Sequence, residues 1–146
     1  MAGKATKGKA KVNHAAQTKS KSQTGNKMQI KNQITGDWLY FCPEEISVRD
    51  IYEVFADTVD AEIWEEAGVL ELLLTEKSTL DIETAQIHPK DEITQNFAKE
   101  QGAKCVFLAT FLPEDYLQAE QMMRQLLEKF GGIFCGDTED FTPVIQ

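Results

Sequence analysis

Acidic side chains are missing from the first 36 positions of this chain, and no Phe, Trp or Tyr occurs before Trp38. Apart from Met1, Val12, Met28, Ile30 and Ile34 are the only large aliphatic residues in the first 34 positions. Such a segment buries too little surface to offset the entropy of ordering it, so residues 1–36 are expected to be a disordered tail and transition. No apolar run approaches the roughly 20 residues that cross a bilayer, and the start has neither the apolar stretch of a signal peptide nor the arginines of a transit peptide. The expectation is a cytoplasmic protein with no membrane partner.

Other absences narrow the chemistry. There is no phosphate-binding glycine loop, nucleophile elbow or metalloprotease helix motif. Cysteine is odd in number and widely spaced: Cys42, Cys105 and Cys135 each lie in an apolar segment and read as reduced, buried thiols. His88 is the only histidine after the tail, and no cysteine stands at the short spacing that zinc sites or Cys–His pairs use. No cofactor is expected, and the chain carries no catalytic signature.

What is present is charge, sorted by position. Lys4, Lys7, Lys9, Lys11, Lys19, Lys21, Lys27 and Lys31 give residues 1–36 a formal +8. The remaining 110 residues hold seven basic against 24 acidic groups, a formal −17. Eight lysines without arginine or aromatic residues would hold nucleic acid only weakly and without sequence preference, since nothing stacks on or reads a base. The other expectations for the segment are a solvated, solubilising tail, or docking to an acidic partner or to the acidic part of the same chain.

Apolar spacing organises residues 37–146 into one α+β domain. WLYFC (38–42) has the length of a strand and ends at Pro43. Ser47 and Asp50 then form a capping pattern for a helix over 47–59, with Val48, Ile51, Tyr52, Phe55 and Val59 on one stripe. Strands are predicted over 61–67 and 69–75, around Gly68, and over 79–86. Asp91 caps a short helix to Gln101 with Ile93 and Phe97 inward. KCVFLATF (104–111) is a central strand, and Pro113-Glu114-Asp115 opens the strongest helix, which Gly131-Gly132 ends. IFCGD (133–137) is a last strand, with Phe141, Pro143, Val144 and Ile145 packing back on the domain. The echo of strand, Pro-acid-acid, helix, strand at both ends suggests two βαβ-like units, related to ferredoxin-like folds. The expected architecture is a mixed or antiparallel sheet with two main helices on one face.

Two acidic groupings are candidate sites. Asp137, Glu139 and Asp140 collect after a strand, where hard cations often find oxygen ligands, and suggest a metal-dependent alternative, with His88 as an accessory. The acid pairs at 44–45, 65–66, 91–92 and 114–115 read as helix-start charges, because neighbours in sequence point apart. The densest negative stretch comprises Asp50, Glu53, Asp57, Asp60, Glu62, Glu65, Glu66, Glu71 and Glu76, with Trp64 among them and only Arg49 and Lys77 as bases. It suits a basic protein partner and repels nucleic acid. In scale, charge and fold class, residues 37–146 resemble small bacterial immunity or inhibitor proteins, which cap the basic active site of a toxin or nuclease. That resemblance implies a non-enzymatic binder whose helix–hairpin face masks a basic surface.

Overall fold

The computed structural model describes residues 35–146. The expectations for the lysine tail lie outside the described residues. Seven strands make a single sheet in the order β2-β3-β4-β5-β1-β6-β7: β1 (Asp37–Cys42), β2 (Ala61–Trp64), β3 (Val69–Thr75), β4 (Ser78–Thr84), β5 (Cys105–Thr110), β6 (Ile133–Gly136) and β7 (Val144–Ile145). Every neighbouring pair is antiparallel. The α+β class stands, with the antiparallel rather than the mixed form of the sheet.

β1 is buried on both faces because its side chains alternate between two apolar layers. Trp38, Tyr40 and Cys42 point to the front, and Leu39 and Phe41 to the back. On the front, the Tyr40 ring stacks on Phe134 at 4.3 Å, and Trp38 stacks on Tyr116 at 6.0 Å. Helix α3 (Tyr116–Phe130) covers this part of the front, and the Tyr40 hydroxyl donates to the Gly131 carbonyl at 2.7 Å just beyond its end. Helix α1 (Val48–Phe55) covers the rest, setting Val48, Ile51 and Phe55 over β2, β3 and β4. Its capping box is formed as the sequence suggests: Ser47 Oγ accepts from Arg49 N, and Asp50 Oδ2 accepts from Ser47 N at 2.9 Å.

The βαβ-like units are present with unlike crossovers. β5 and β6 run parallel with only β1 between them, a split unit closed by α3. β1 and β2 also run parallel, but β5, β4 and β3 lie between them.

The two main helices, α1 and α3, share the front as expected, and the short helix α2 (Glu92–Glu100) lies on the other face. It packs Phe97 and Ala98 on the back, against the cluster of Leu39, Phe41, Val106, Ile133, Cys135 and Phe141. Phe97 stacks on Phe141 at 4.2 Å and meets Phe41 edge-on at 5.1 Å. Only the later turn of α2 reaches the sheet, so Ile93, expected inward, is 69% exposed. Strand 61–67 is also shorter than expected. Trp64 already pairs with Val69, so residues 65–67 become a 3₁₀ turn that Gly68 closes at φ +70°, a conformation that favours glycine. Helix α1 stops at Phe55, short of Val59. β7 was not anticipated: two residues are too few to show alternation, and their strand character comes from pairing with β6.

The junction of α3 and β6 sets two expectations. A Cβ on Gly132, where φ is +90°, meets the Phe41 carbonyl oxygen and lies 2.9 Å from Pro43 Cδ, whereas one on Gly102 meets nothing within 4 Å. In denaturant titrations Gly132→Ala is expected to cost more than about 2 kcal/mol and Gly102→Ala about 1 kcal/mol, the strain of a left-handed residue alone. Tyr40→Phe, which leaves the Gly131 carbonyl without its buried donor, is expected to cost about 1–2 kcal/mol in the same assay.

Candidate acidic sheet face

Helix α1 lies in front of β2, β3 and β4, and α2 lies behind the β5-β1-β6 end. The back of β2, β3 and β4 is therefore a sheet face over which no described helix packs. Strand alternation sorts its residues. Leu70, Leu72, Leu80 and Ile82 are buried in front, so the residues between them point backward.

The registers then align acids across strands. Glu62 stands opposite Glu71, Glu71 opposite Asp81, Asp81 opposite Thr110, and Thr110 opposite Asp37. Four carboxylates thus fall on one row across five strands whose neighbours are about 4.8 Å apart. The adjacent row runs Trp64, Val69, Glu83 and Leu108, and Leu73 pairs with Thr79 on the other side. Trp64 is half-buried and Leu73 exposed, which gives the acidic row an apolar flank. The Thr79 hydroxyl donates to Asp81 Oδ1 at 2.7 Å. Glu62 with Glu71 and Glu71 with Asp81 are like charges directly opposite one another, an arrangement that by itself costs roughly 0.2–1 kcal/mol per pair.

The acids singled out from the sequence divide between two sides of the molecule. Glu62, Glu71 and Trp64 lie on the back of the sheet. Glu53 and Asp57 are exposed along and just after α1, in front, and Asp50 is engaged in the cap of that helix. Glu65 and Glu66 sit in the turn between β2 and β3. There Glu65 pairs with Arg49 at 2.9 Å across an exposed contact and raises the guanidinium above its ordinary value. Sequence reasoning missed Asp37, Asp81 and Glu83. The signal for the last two was the alternation Leu80-Asp81-Ile82-Glu83, which places both acids opposite the buried face.

The turn after β6 is organised by hydroxyls. Asp140 Oδ1 accepts from Thr142 Oγ1 at 2.8 Å and from Thr138 Oγ1 at 3.1 Å, and these bonds hold its carboxyl below the usual range. Glu139 is exposed beside it. Among the described residues, no group of three or more His, Cys, Asp or Glu side chains is placed to hold a metal ion. His88 accepts from Lys90 N through Nδ1 at 3.0 Å and belongs to the loop that leads into α2. The three cysteines are free thiols: Cys42 and Cys135 are buried, while Cys105 is partly exposed and donates to the Glu44 carbonyl. Burial pushes the Cys135 thiol up to about 12. No helix among the described residues is long and apolar enough to cross a membrane.

Asp137 gives a pH signature. The residue as a whole is exposed, yet its carboxyl is raised above the ordinary value, first by burial and then by Asp37 and Asp91. A raised carboxyl binds its proton more tightly in the folded state. Its contribution is intact below the unfolded value and is lost as pH rises through the folded one. Asp137→Asn is therefore expected to raise the melting temperature at pH 7 relative to the parent and to leave it unchanged near pH 3.

No protein-family model, curated protein or solved structure matches the chain.

Proposed function

We propose that residues 35–146 form a non-enzymatic binding module that masks a basic protein surface, in the manner of an immunity or inhibitor protein. Its contact surface would be the back of β2, β3 and β4 rather than the α1 side. The observation that carries this reading is the in-register row of Glu62, Glu71, Asp81 and Asp37, with Glu83 beside it. Carboxylates on paired strands keep their mutual spacing without help from the partner, so little ordering cost falls on association. Trp64, Val69 and Leu73 supply apolar contact next to the charge, the combination from which interface hot spots are built.

On the α1 side, Asp50 holds the helix cap and Glu65 holds Arg49, and neither stands on the row. The formal −17 of residues 37–146 adds long-range steering of a cationic partner, which salt weakens. A toxin- or nuclease-like protein with a basic active site is the partner class that best complements such a face.

The test is affinity capture of basic proteins from lysate with three baits: the parent, a sheet variant (Glu62→Gln, Glu71→Gln, Asp81→Asn) and a helix variant (Glu53→Gln, Asp57→Asn). A basic protein held by the parent and the helix variant is expected to be lost from the sheet variant, and to be lost from all three at high salt. Capture that survives in the sheet variant and fails in the helix variant would refute the choice of face.

A further inference from the structure

We propose that Cys42 and Cys105 are a thiol pair that closes to a disulfide on oxidation by a peroxide, with Cys105 as the entry thiol. The proposal does not rest on the function assigned to the acidic face. It follows from where the pair sits in the sheet, what covers each sulfur, and what surrounds the third cysteine.

Far apart in sequence, the two residues are directly opposite in the sheet: Cys42 ends β1, Cys105 opens β5, and each is the other's partner. Opposite residues on antiparallel strands point to the same face, with both Cα and Cβ atoms about 4.5–5.5 Å apart. A disulfide needs Cα atoms about 4.4–6.8 Å apart and Cβ atoms about 3.5–4.5 Å apart, so closure takes an approach of about 1 Å at Cβ. The pair lies where the ladder ends. Lys104 N, one residue outside the register, donates to the Cys42 carbonyl at 2.7 Å, and Pro43 follows with no donor of its own. Strand ends of this kind shift more easily than strand centres.

The two sulfurs differ in access. Cys42 is wholly buried, whereas Cys105 is partly exposed and donates to the Glu44 carbonyl at 3.1 Å, in the linker from β1 to α1. Burial raises the Cys105 thiol above its ordinary value, against a hydrogen bond from the Ile46 backbone that favours the thiolate. The nearby Cys42 thiol, and a hydrogen bond shared with it, raise it further, and that shared bond brings the two sulfurs into contact. A thiol held mostly protonated reacts slowly with peroxide, while the following step between touching sulfurs is fast. Cys135 has no such neighbour. It is buried on the back between Leu39 of β1 and Val144 of β7, and burial pushes its thiol up to about 12.

The Cys105 thiolate attacks one peroxide oxygen, the O–O bond breaks, and the departing hydroxide takes up the thiol's proton as water. Cys42 Sγ then attacks the sulfenic acid at Cys105 Sγ: the S–S bond forms, the S–O bond breaks, and hydroxide leaves with the Cys42 proton as a second water. Two thiols lose two electrons in total, and one peroxide becomes two waters. The bond from Cys105 to the Glu44 carbonyl is lost, so the linker is released at that point while β1 and β5 are locked together. The cross-link closes a loop of about 60 residues, which restrains the unfolded chain.

The test treats the full chain with excess hydrogen peroxide, alkylates the remaining thiols and maps peptides by mass spectrometry without reduction. The expected result is a Cys42 peptide linked to a Cys105 peptide within one chain, with Cys135 still alkylated. The melting temperature is expected to rise by at least about 3 °C and to return on adding dithiothreitol. In Cys42→Ser, Cys105 is expected to remain a sulfenic acid that dimedone traps. Because that change falls on a buried residue, Cys105→Ser at the partly exposed one is the second variant, and it is expected to lose both the link and the melting shift. A link that includes Cys135, a link between two chains, or Cys105 driven to sulfinic acid in the parent with no link would overturn the pairing. A link that lowers the melting temperature would overturn its fit to the folded strands.

Discussion

The constraint on which this structure depends is the antiparallel register running from β2 through β3, β4 and β5 to β1. A strand has a side-chain period of two, so fixing one pair fixes the face of every residue in both strands. Here Leu70, Leu72, Leu80 and Ile82 are forced forward under α1, and Glu71, Asp81 and Glu83 are forced backward. The same register places Trp38 and Tyr40 under α3, and Leu39 and Phe41 under α2. Burial of the front determines the composition of the back.

The two halves of the sheet resolve their back faces differently. Behind β5, β1 and β6 the residues are apolar, and α2 with Phe141 closes over them through stacked and edge-on rings, each worth about 0.5–1.5 kcal/mol beyond area burial. Behind β2, β3 and β4 the residues are acidic with apolar neighbours, and a charge is buried under a helix at a cost of several kcal/mol unless it is well paired there. That asymmetry gives the sheet one end covered by described helices on both faces and one end covered on the front alone, joined through β5.

Much of this organisation was legible in local patterns. The Ser47–Asp50 capping box, the Asp91 cap, the long α3 stripe and the central position of the 105–110 segment all depend on residues within a few positions of one another. Features set at long range were not legible. Ile93 and Phe97 share a helical stripe, yet only Phe97 lies over the sheet. β7 is a strand only because β6 offers it a partner. The acidic site was half-visible: Glu62, Glu71 and Trp64 stood out as part of a dense negative stretch. Their separation from Glu53 and Asp57, and their union with Asp81 and Asp37, follow from strand pairing that charge density does not encode.

The claim that everything else rests on is the row itself. Interstrand nuclear Overhauser effects in the full-length protein measure it directly. The account predicts backbone contacts from Glu71 to Glu62 on one side and to Asp81 on the other, continuing from Asp81 through Thr110 to Asp37. Contacts that place Glu71 opposite Ile63 or Leu80 would mean a slipped register, with the acids turned toward α1, and would contradict it.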